Sequence, residues 1–245
     1  TITLTDLGCF IPIFKKATKP LSFHFTFSGT GTSLKIDSME VASYRSHLLL
    51  QGNGSLRNWQ SAPHWAANIK RFSLDTDGIK FITDIFSRHI NLPPVISRLG
   101  NIEYKGEMGG YGNDISAKGV LRTDAGITAL AFGKHNNKFS ARIETEEFKL
   151  GKVLENDKFG TISTQIDISG RIPVNNDIYI EAAGDISKFE YNSYAYKNIS
   201  VDGVFEGNAF DGKLTVNDPN AIVSMAGKFD FLSKHPYAKL TADIE

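Results

Sequence analysis

Apolar and polar residues alternate with period two along most of this chain, which restricts it to strands with one face buried and the other wetted. Phe23, Phe25 and Phe27 alternate with Ser22, His24, Thr26 and Ser28. Ile178, Ile180 and Ala182 alternate with Tyr179, Glu181 and Ala183. Ile199, Val201, Gly203 and Phe205 repeat the pattern, followed by Phe210, Gly212, Leu214 and Val216, then Val223, Met225, Gly227, Phe229 and Phe231. Gly52-Asn53-Gly54, Asn175-Asn176-Asp177, Glu206-Gly207-Asn208 and Asp218-Pro219-Asn220 have the chemistry of hairpin connections. Successive strands are therefore expected to be antiparallel neighbours, and the length allows about fifteen of them.

Three short segments instead place apolar residues at helical spacing. Leu7, Phe10, Ile11 and Phe14 follow Thr5-Asp6; Ile79, Ile82, Ile85 and Phe86 follow Asp77 and stop before Pro93-Pro94; Leu150, Val153 and Leu154 follow Glu146-Glu147. Superposing the three reveals an internal repeat of about 71 residues. Each predicted unit (1–71, 72–142 and 143–245) has a strand, a short helix and several hairpins in one continuous segment. A repeat of this kind predicts a sheet that grows by strand addition, with helices covering an edge or a face. The competing architecture is a plain β-sandwich.

Lys plus Arg and Asp plus Glu each number 27, so the net charge is zero, and no basic patch gathers to neutralise phosphates. Nucleic acid is not an expected partner. The single cysteine, Cys9, forms neither an internal disulfide nor a thiolate cage. The longest apolar run, residues 7–14, is far short of the roughly 20 residues of a membrane span. The chain opens at Thr1 without a signal-like segment and ends in an alternating run, 238–245, so it reads as a piece of something longer.

Catalytic and cofactor motifs are missing: no nucleophile elbow, no paired-histidine zinc motif, no phosphate-binding glycine loop. The histidines (His24, His47, His64, His89, His135 and His235) are scattered singly, without ligand spacing. Asp75-Thr76-Asp77-Gly78 resembles the opening of a calcium loop but lacks its distal ligands, and a helix-capping turn accounts for it. Gly106, Gly109, Gly110 and Gly112 read as a bulged or bent strand. Phe189, Tyr191, Tyr194 and Tyr196 read either as cross-strand packing or as a sugar platform. The expectation is a protein that is not an enzyme and has no catalytic residues, metal or cofactor. What remains is the apolar stripe. On a curled, unpaired sheet it makes a groove suited to acyl chains, at about 0.8 kcal/mol per buried methylene.

Residues 194–203, Phe210-Asp211-Gly212-Lys213-Leu214-Thr215-Val216-Asn217-Asp218-Pro219-Asn220 and Ala226-Gly227-Lys228-Phe229-Asp230-Phe231 resemble the TamB-like branch of the AsmA superfamily, in its Bacteroidetes form. Asp6-Leu7-Gly8, Leu99-Gly100-Asn101-Ile102, Leu121-Arg122-Thr123-Asp124-Ala125-Gly126 and Leu150-Gly151-Lys152-Val153-Leu154 fit the same pattern, so the resemblance spans nearly the whole chain. It implies a periplasmic bridge anchored in the inner membrane, a long β-taco carrying phospholipid toward the outer membrane. It also implies an Omp85-type outer-membrane barrel as partner, contacted through regions outside this segment. The family's membrane helix is not evident in this chain.

The expected fold is all-β with a few short helices, an elongated, curled antiparallel sheet (β-taco) with a concave apolar groove. Candidate groove residues, facing phospholipid acyl chains, are Phe23, Phe25, Phe27, Leu34, Ile36, Leu48, Leu50, Ile166, Ile168, Ile178, Ile180, Val201, Phe205, Leu214, Val216, Met225 and Phe229. Two other functions fit the sequence: a chaperone-like or structural module in outer-membrane protein assembly, working through sheet edges, and a carbohydrate-binding β-sandwich.

Overall fold

The alternating runs become strands in a computed structural model of the chain. It describes residues 21–43, 45, 47–86, 94–171, 179–207, 209–230 and 237–244. Among these the strands are β1 (Leu21–Thr30), β2 (Ser33–Ser43), β3 (Leu48–Arg57), β4 (His64–Leu74), β5 (Ile102–Tyr111), β6 (Asp114–Thr123), β7 (Gly126–His135), β8 (Lys138–Lys149), β9 (Phe159–Arg171), β10 (Tyr179–Tyr191), β11 (Tyr194–Glu206), β12 (Ala209–Asp218), β13 (Ala221–Asp230) and β14 (Tyr237–Ile244). They form one 14-stranded sheet in sequence order, an open antiparallel meander. No second sheet packs on it among the described residues. Three short helices interrupt the meander: α1 (Thr76–Phe86), α2 (Pro94–Arg98) and α3 (Leu150–Leu154). The chain packs as two compact units, Thr1–Asn113 with Ala117–Ala125, and Asp114–Ser116 with Gly126–Glu245.

In the first unit, register brings apolar side chains of successive strands into transverse rows. Phe23 lies opposite Val41, Val41 opposite Leu50, Leu50 opposite Phe72 and Phe72 opposite Tyr104. Polar Ser22, Glu40, Gln51 and Glu103 face the other way, together with Ala42 and Leu49. Bulges keep the rows in phase. Ile36 and Met39 are three residues apart, as are Ile69 and Phe72, and an extra residue in the ladder returns both members of each pair to one face. Helix α1 then covers one end of this face. Ile79 and Phe81 are buried with Leu21, Leu48, Leu74 and Ile102, and Ile96 and Leu99 pack against the cluster.

The cap of α1 explains its position. Asp75 Oδ1 accepts the Gly78 N–H at 2.8 Å and the Asp75 carbonyl accepts that of Ile79 at 2.9 Å, so Asp75, not Asp77, ends the strand and starts the helix. The Asp75 N–H donates to the His47 carbonyl at 3.2 Å, and His47 Nδ1 lies 2.6 Å from Asp75 Oδ2. A Cβ on Gly78 would stand 1.9 Å from the His47 carbonyl oxygen, so only glycine lets the first turn approach β3 this closely.

The second unit repeats the scheme on longer strands. Ile143, Ile166, Gly184, Val201, Leu214 and Met225 form one row across β8 to β13. Helix α3 buries Val153 beside β9 and ends at Glu155 in the left-handed conformation, with φ 53°.

Several sequence expectations need correction. Gly52-Asn53-Gly54 is not a turn: it lies inside β3, where β4 backbone oxygens of Asn68 and Ala66 come within 2.4 and 2.5 Å of where Cβ atoms would be. Turn chemistry and close strand approach both select glycine, and composition does not separate them. At the glycine-rich strand β5, the bulge sits on its partner β4 between Ile69 and Phe72. Strand β8 continues past Glu146-Glu147 to Lys149, with Glu147 at φ 49° in the register shift, and α3 starts at Leu150, where the helical spacing begins. Helix α2 was not expected; it opens on Pro94, whose missing N–H costs nothing in a first turn. The first predicted helix, residues 5–14, and the turn 175–177 lie outside the described residues.

Candidate functional site

Each unit presents an apolar face of the sheet, and these faces are the candidate site. In the first unit Phe25 lies opposite Met39, Phe27 opposite Ile36 and Gly29 opposite Leu34, which puts Phe23, Phe25, Phe27, Leu34, Ile36 and Leu50 on one face. Their environments differ. Leu48 is 9% exposed beneath α1, and Phe23 packs against the same cluster, so these two belong to a core. Phe25 and Phe27 are 46% and 65% exposed, with Phe23 and Phe25 stacked at 6.2 Å. Leu34, Ile36 and Leu50 are half-buried.

In the second unit Ile166, Ile168, Ile180, Val201, Phe205, Leu214, Val216 and Met225 share one face and are all half-buried. Phe229 takes the ladder position between Phe210 and Ala238, and Ile178 lies outside the described residues. Sequence reading missed part of this face: Leu130, Phe132, Phe139, Ala141 and Ile143 occupy the same rows on β7 and β8. They alternate as clearly as the chosen residues and were open to the same test.

Glycines set the relief of the face. Gly203 and Gly212 are paired across β11 and β12, and the Phe210 ring lies where their side chains would be. The absence of two side chains thus lets one aromatic ring lie flat on the sheet.

On this face Lys134 lies opposite Phe139 at one end of the second unit, and further polar groups gather at the other. Asp218, 2% exposed, accepts hydrogen bonds from the Tyr194 hydroxyl, the Lys197 N–H at 2.9 Å and the Asn220 N–H at 3.0 Å. The Tyr194 hydroxyl and these amides hold its carboxyl below the usual range, and Asp218 in turn pushes the Tyr194 phenol up. Tyr194 and Tyr196 meet edge to face at 4.6 Å, while Phe159, Phe189 and Tyr191 form a second ring cluster with Phe159 and Tyr191 at 5.3 Å. These aromatics pack on one another across strands rather than forming a flat exposed platform.

The opposite face is closed on itself electrostatically. Arg142 binds Asp167 through two hydrogen bonds of 2.7 Å, which hold the carboxyl low and the guanidinium high. Lys188 lies 2.9 Å from Glu190, which also accepts the Thr161 N–H, and together they pull the Glu190 carboxyl down to about 2. A hollow of about 700 Å³ in the second unit includes Arg142, Asp167, Glu181 and Asp202. Another of about 380 Å³ in the first includes Arg71, Glu103, Arg122 and Asp124. The first sets three carboxylates beside one guanidinium, and the second, with Asp75, three beside two. Among the described residues no cluster of His, Cys, Asp and Glu is placed to hold a metal ion, and no helix is long and apolar enough to cross a membrane.

Compared with protein families, curated proteins and solved structures, the chain matches none.

Proposed function

We propose that this chain is a segment of a TamB/AsmA-like bridge whose apolar face carries phospholipid acyl chains between the inner and outer membranes. In this reading it works in the periplasm, as part of a protein anchored in the inner membrane, supports outer-membrane biogenesis and performs no catalysis. Its outer-membrane partner, an Omp85-type barrel, docks through other regions. One observation supports the reading above the rest. Within each unit successive strands bring apolar side chains to one face of an open sheet, and no second sheet covers that face among the described residues. An uncovered apolar surface of this extent is a binding surface. A hydrocarbon chain satisfies it without a specific polar partner, at about 0.8 kcal/mol per methylene.

Native mass spectrometry of the chain purified from bacteria without detergent, followed by organic extraction, tests the proposal. Co-purifying phospholipid in stoichiometric amount is the expected result. A folded chain that takes up no lipid from phospholipid vesicles rejects it.

A further inference from the structure

The face opposite the apolar rows carries an open trough in the second unit. Two transverse rows flank it on β8 to β11. One runs through Arg142, Asp167, Ala183 and Asp202, the other through Ser140, Ser169, Glu181 and Val204. The hollow of about 700 Å³ lies between these rows and reaches Ala131 and Gly133 on β7. Its depth comes from small residues, since Ala131, Gly133, Ser140 and Ala183 stand where longer side chains would fill it. Five strands spaced about 4.8 Å apart make it about 19 Å long, and its volume is that of a small-ligand site.

Most of its polar groups are fixed before any ligand arrives. Arg142 donates two hydrogen bonds of 2.7 Å to Asp167. Glu181 accepts the Tyr179 hydroxyl at 2.6 Å and the Ser169 hydroxyl at 3.1 Å. These bonds hold both carboxyls below the usual range, so both are ionised acceptors at neutral pH. A carboxylate offers about four acceptor sites and a guanidinium five N–H donors, so each keeps capacity for a ligand. Asp202 makes no hydrogen bond or ion pair to a described residue, with Lys213 opposite it on β12 and Asp211 opposite Val204. Groups already ordered by the fold lose little further freedom on binding.

The same groups select a class of ligand. The excess of carboxylates turns away anions. Among the described residues no cluster is placed to hold a metal ion, and a polyamine meets the Arg142 guanidinium. Val204 is the one branched apolar side chain in the two rows, so an apolar ligand buries little area. A neutral polyol suits the site: neighbouring hydroxyls donate to the two oxygens of one carboxylate and accept from the guanidinium. A linear chain of sugar rings also advances by a step close to the strand spacing of about 4.8 Å.

We propose that this trough binds a short, neutral, linear oligosaccharide laid across the strands, its hydroxyls donating to Asp167, Glu181 and Asp202 and accepting from Arg142. The site faces away from the apolar rows and does not depend on lipid carriage.

Titration of the isotope-labelled 245-residue chain with maltotriose, cellotriose and chitotriose, each at millimolar concentration, tests the proposal by amide chemical shifts. At least one sugar is expected to bind saturably, with shifts centred on residues 140–142, 167–169, 181–183 and 202–204. Asp202→Asn, which removes a carboxylate without a partner, should weaken that binding about tenfold. Ala183→Trp, which fills the trough on an open face, should abolish it, and both variants should keep the native melting temperature. No shift at these residues with any of the three sugars overturns the proposal, as does undiminished binding in either variant. Tighter binding of spermine than of every sugar overturns the choice of a neutral ligand.

Discussion

At the residue scale, two positions show how local chemistry fixes the architecture. Gly78 is required because the first turn of α1 presses on the His47 carbonyl oxygen, 1.9 Å from where a Cβ would stand. In an ordinary exposed helix Gly78→Ala would add stability through propensity. Here it should lower the stability of the first unit by about 1–3 kcal/mol, the usual cost of overpacking, read as an earlier denaturant midpoint. A stabilised variant would mean that α1 does not dock against β3 in this way. Glu190 supplies a pH dependence of known sign. Lys188 and the Thr161 N–H hold its carboxyl near 2, below its ordinary 4.5. A carboxyl depressed by folding stabilises the native state above its unfolded pKa, and the contribution is lost as pH falls through the folded value. Denaturant melts between about pH 5 and pH 2 should therefore show a steeper loss for the native chain than for Glu190→Gln. Parallel curves would remove Glu190 as a source of acid sensitivity.

At the element scale, strands keep a continuous apolar face by inserting bulges where the sequence slips phase. Met39 and Val41 rejoin Ile36 only because the ladder of β2 carries an extra residue, and Phe72 rejoins Ile69 on β4 in the same way. In the second unit Tyr196 reaches the face of Ile199 past Asn198, whose φ is 51°. Strict alternation loses such residues, because a one-residue slip sends a whole strand segment to the other face unless a bulge intervenes. Helix α1 divides the face of the first unit into a covered core and an open remainder, and paired substitutions should expose the boundary. Leu48→Ala, beneath α1, should cost about 2–5 kcal/mol as a cavity in a packed cluster. Phe25→Ala, in the same register scheme but 46% exposed, should cost well under half as much in the same urea titration. Equal losses would show that the face is covered at Phe25 as well.

At the scale of the whole molecule, the lipid-carrying proposal demands that fold and function separate on mutation. Phe25→Asp and Ile180→Asp place a carboxylate on the open face of each unit, and a charge there opposes hydrocarbon far more than it opposes a sheet on which no second sheet packs among the described residues. Both variants should keep the β-sheet circular dichroism and the melting transition of the native chain while losing most co-purifying lipid. Unfolding in either one would instead reveal a layer over that face. The sequence by itself determined the class of structure. Period-two alternation fixes strands, short polar turns fix antiparallel neighbours, and the apolar half of each strand fixes a common face, because these follow from backbone pleat and nearest-neighbour chemistry. It also marked two of the three helices among the described residues, through the spacing of Ile79 and Ile82 and of Leu150, Val153 and Leu154. Only the tertiary structure decided which face residues are core and which are open. Leu48 and Phe25 look equivalent in sequence, and a helix packed from elsewhere in the chain separates them. Likewise Gly52-Asn53-Gly54 has the composition of a turn, and its place inside β3 depends on the close approach of β4. The tyrosine cluster, too, exists only once register sets Tyr191 against Tyr194 and brings Asp218 within reach of the Tyr194 hydroxyl. Alternation is a property of one strand; which residues meet across strands, and what covers them, is set by ladder register and packing between segments distant in sequence.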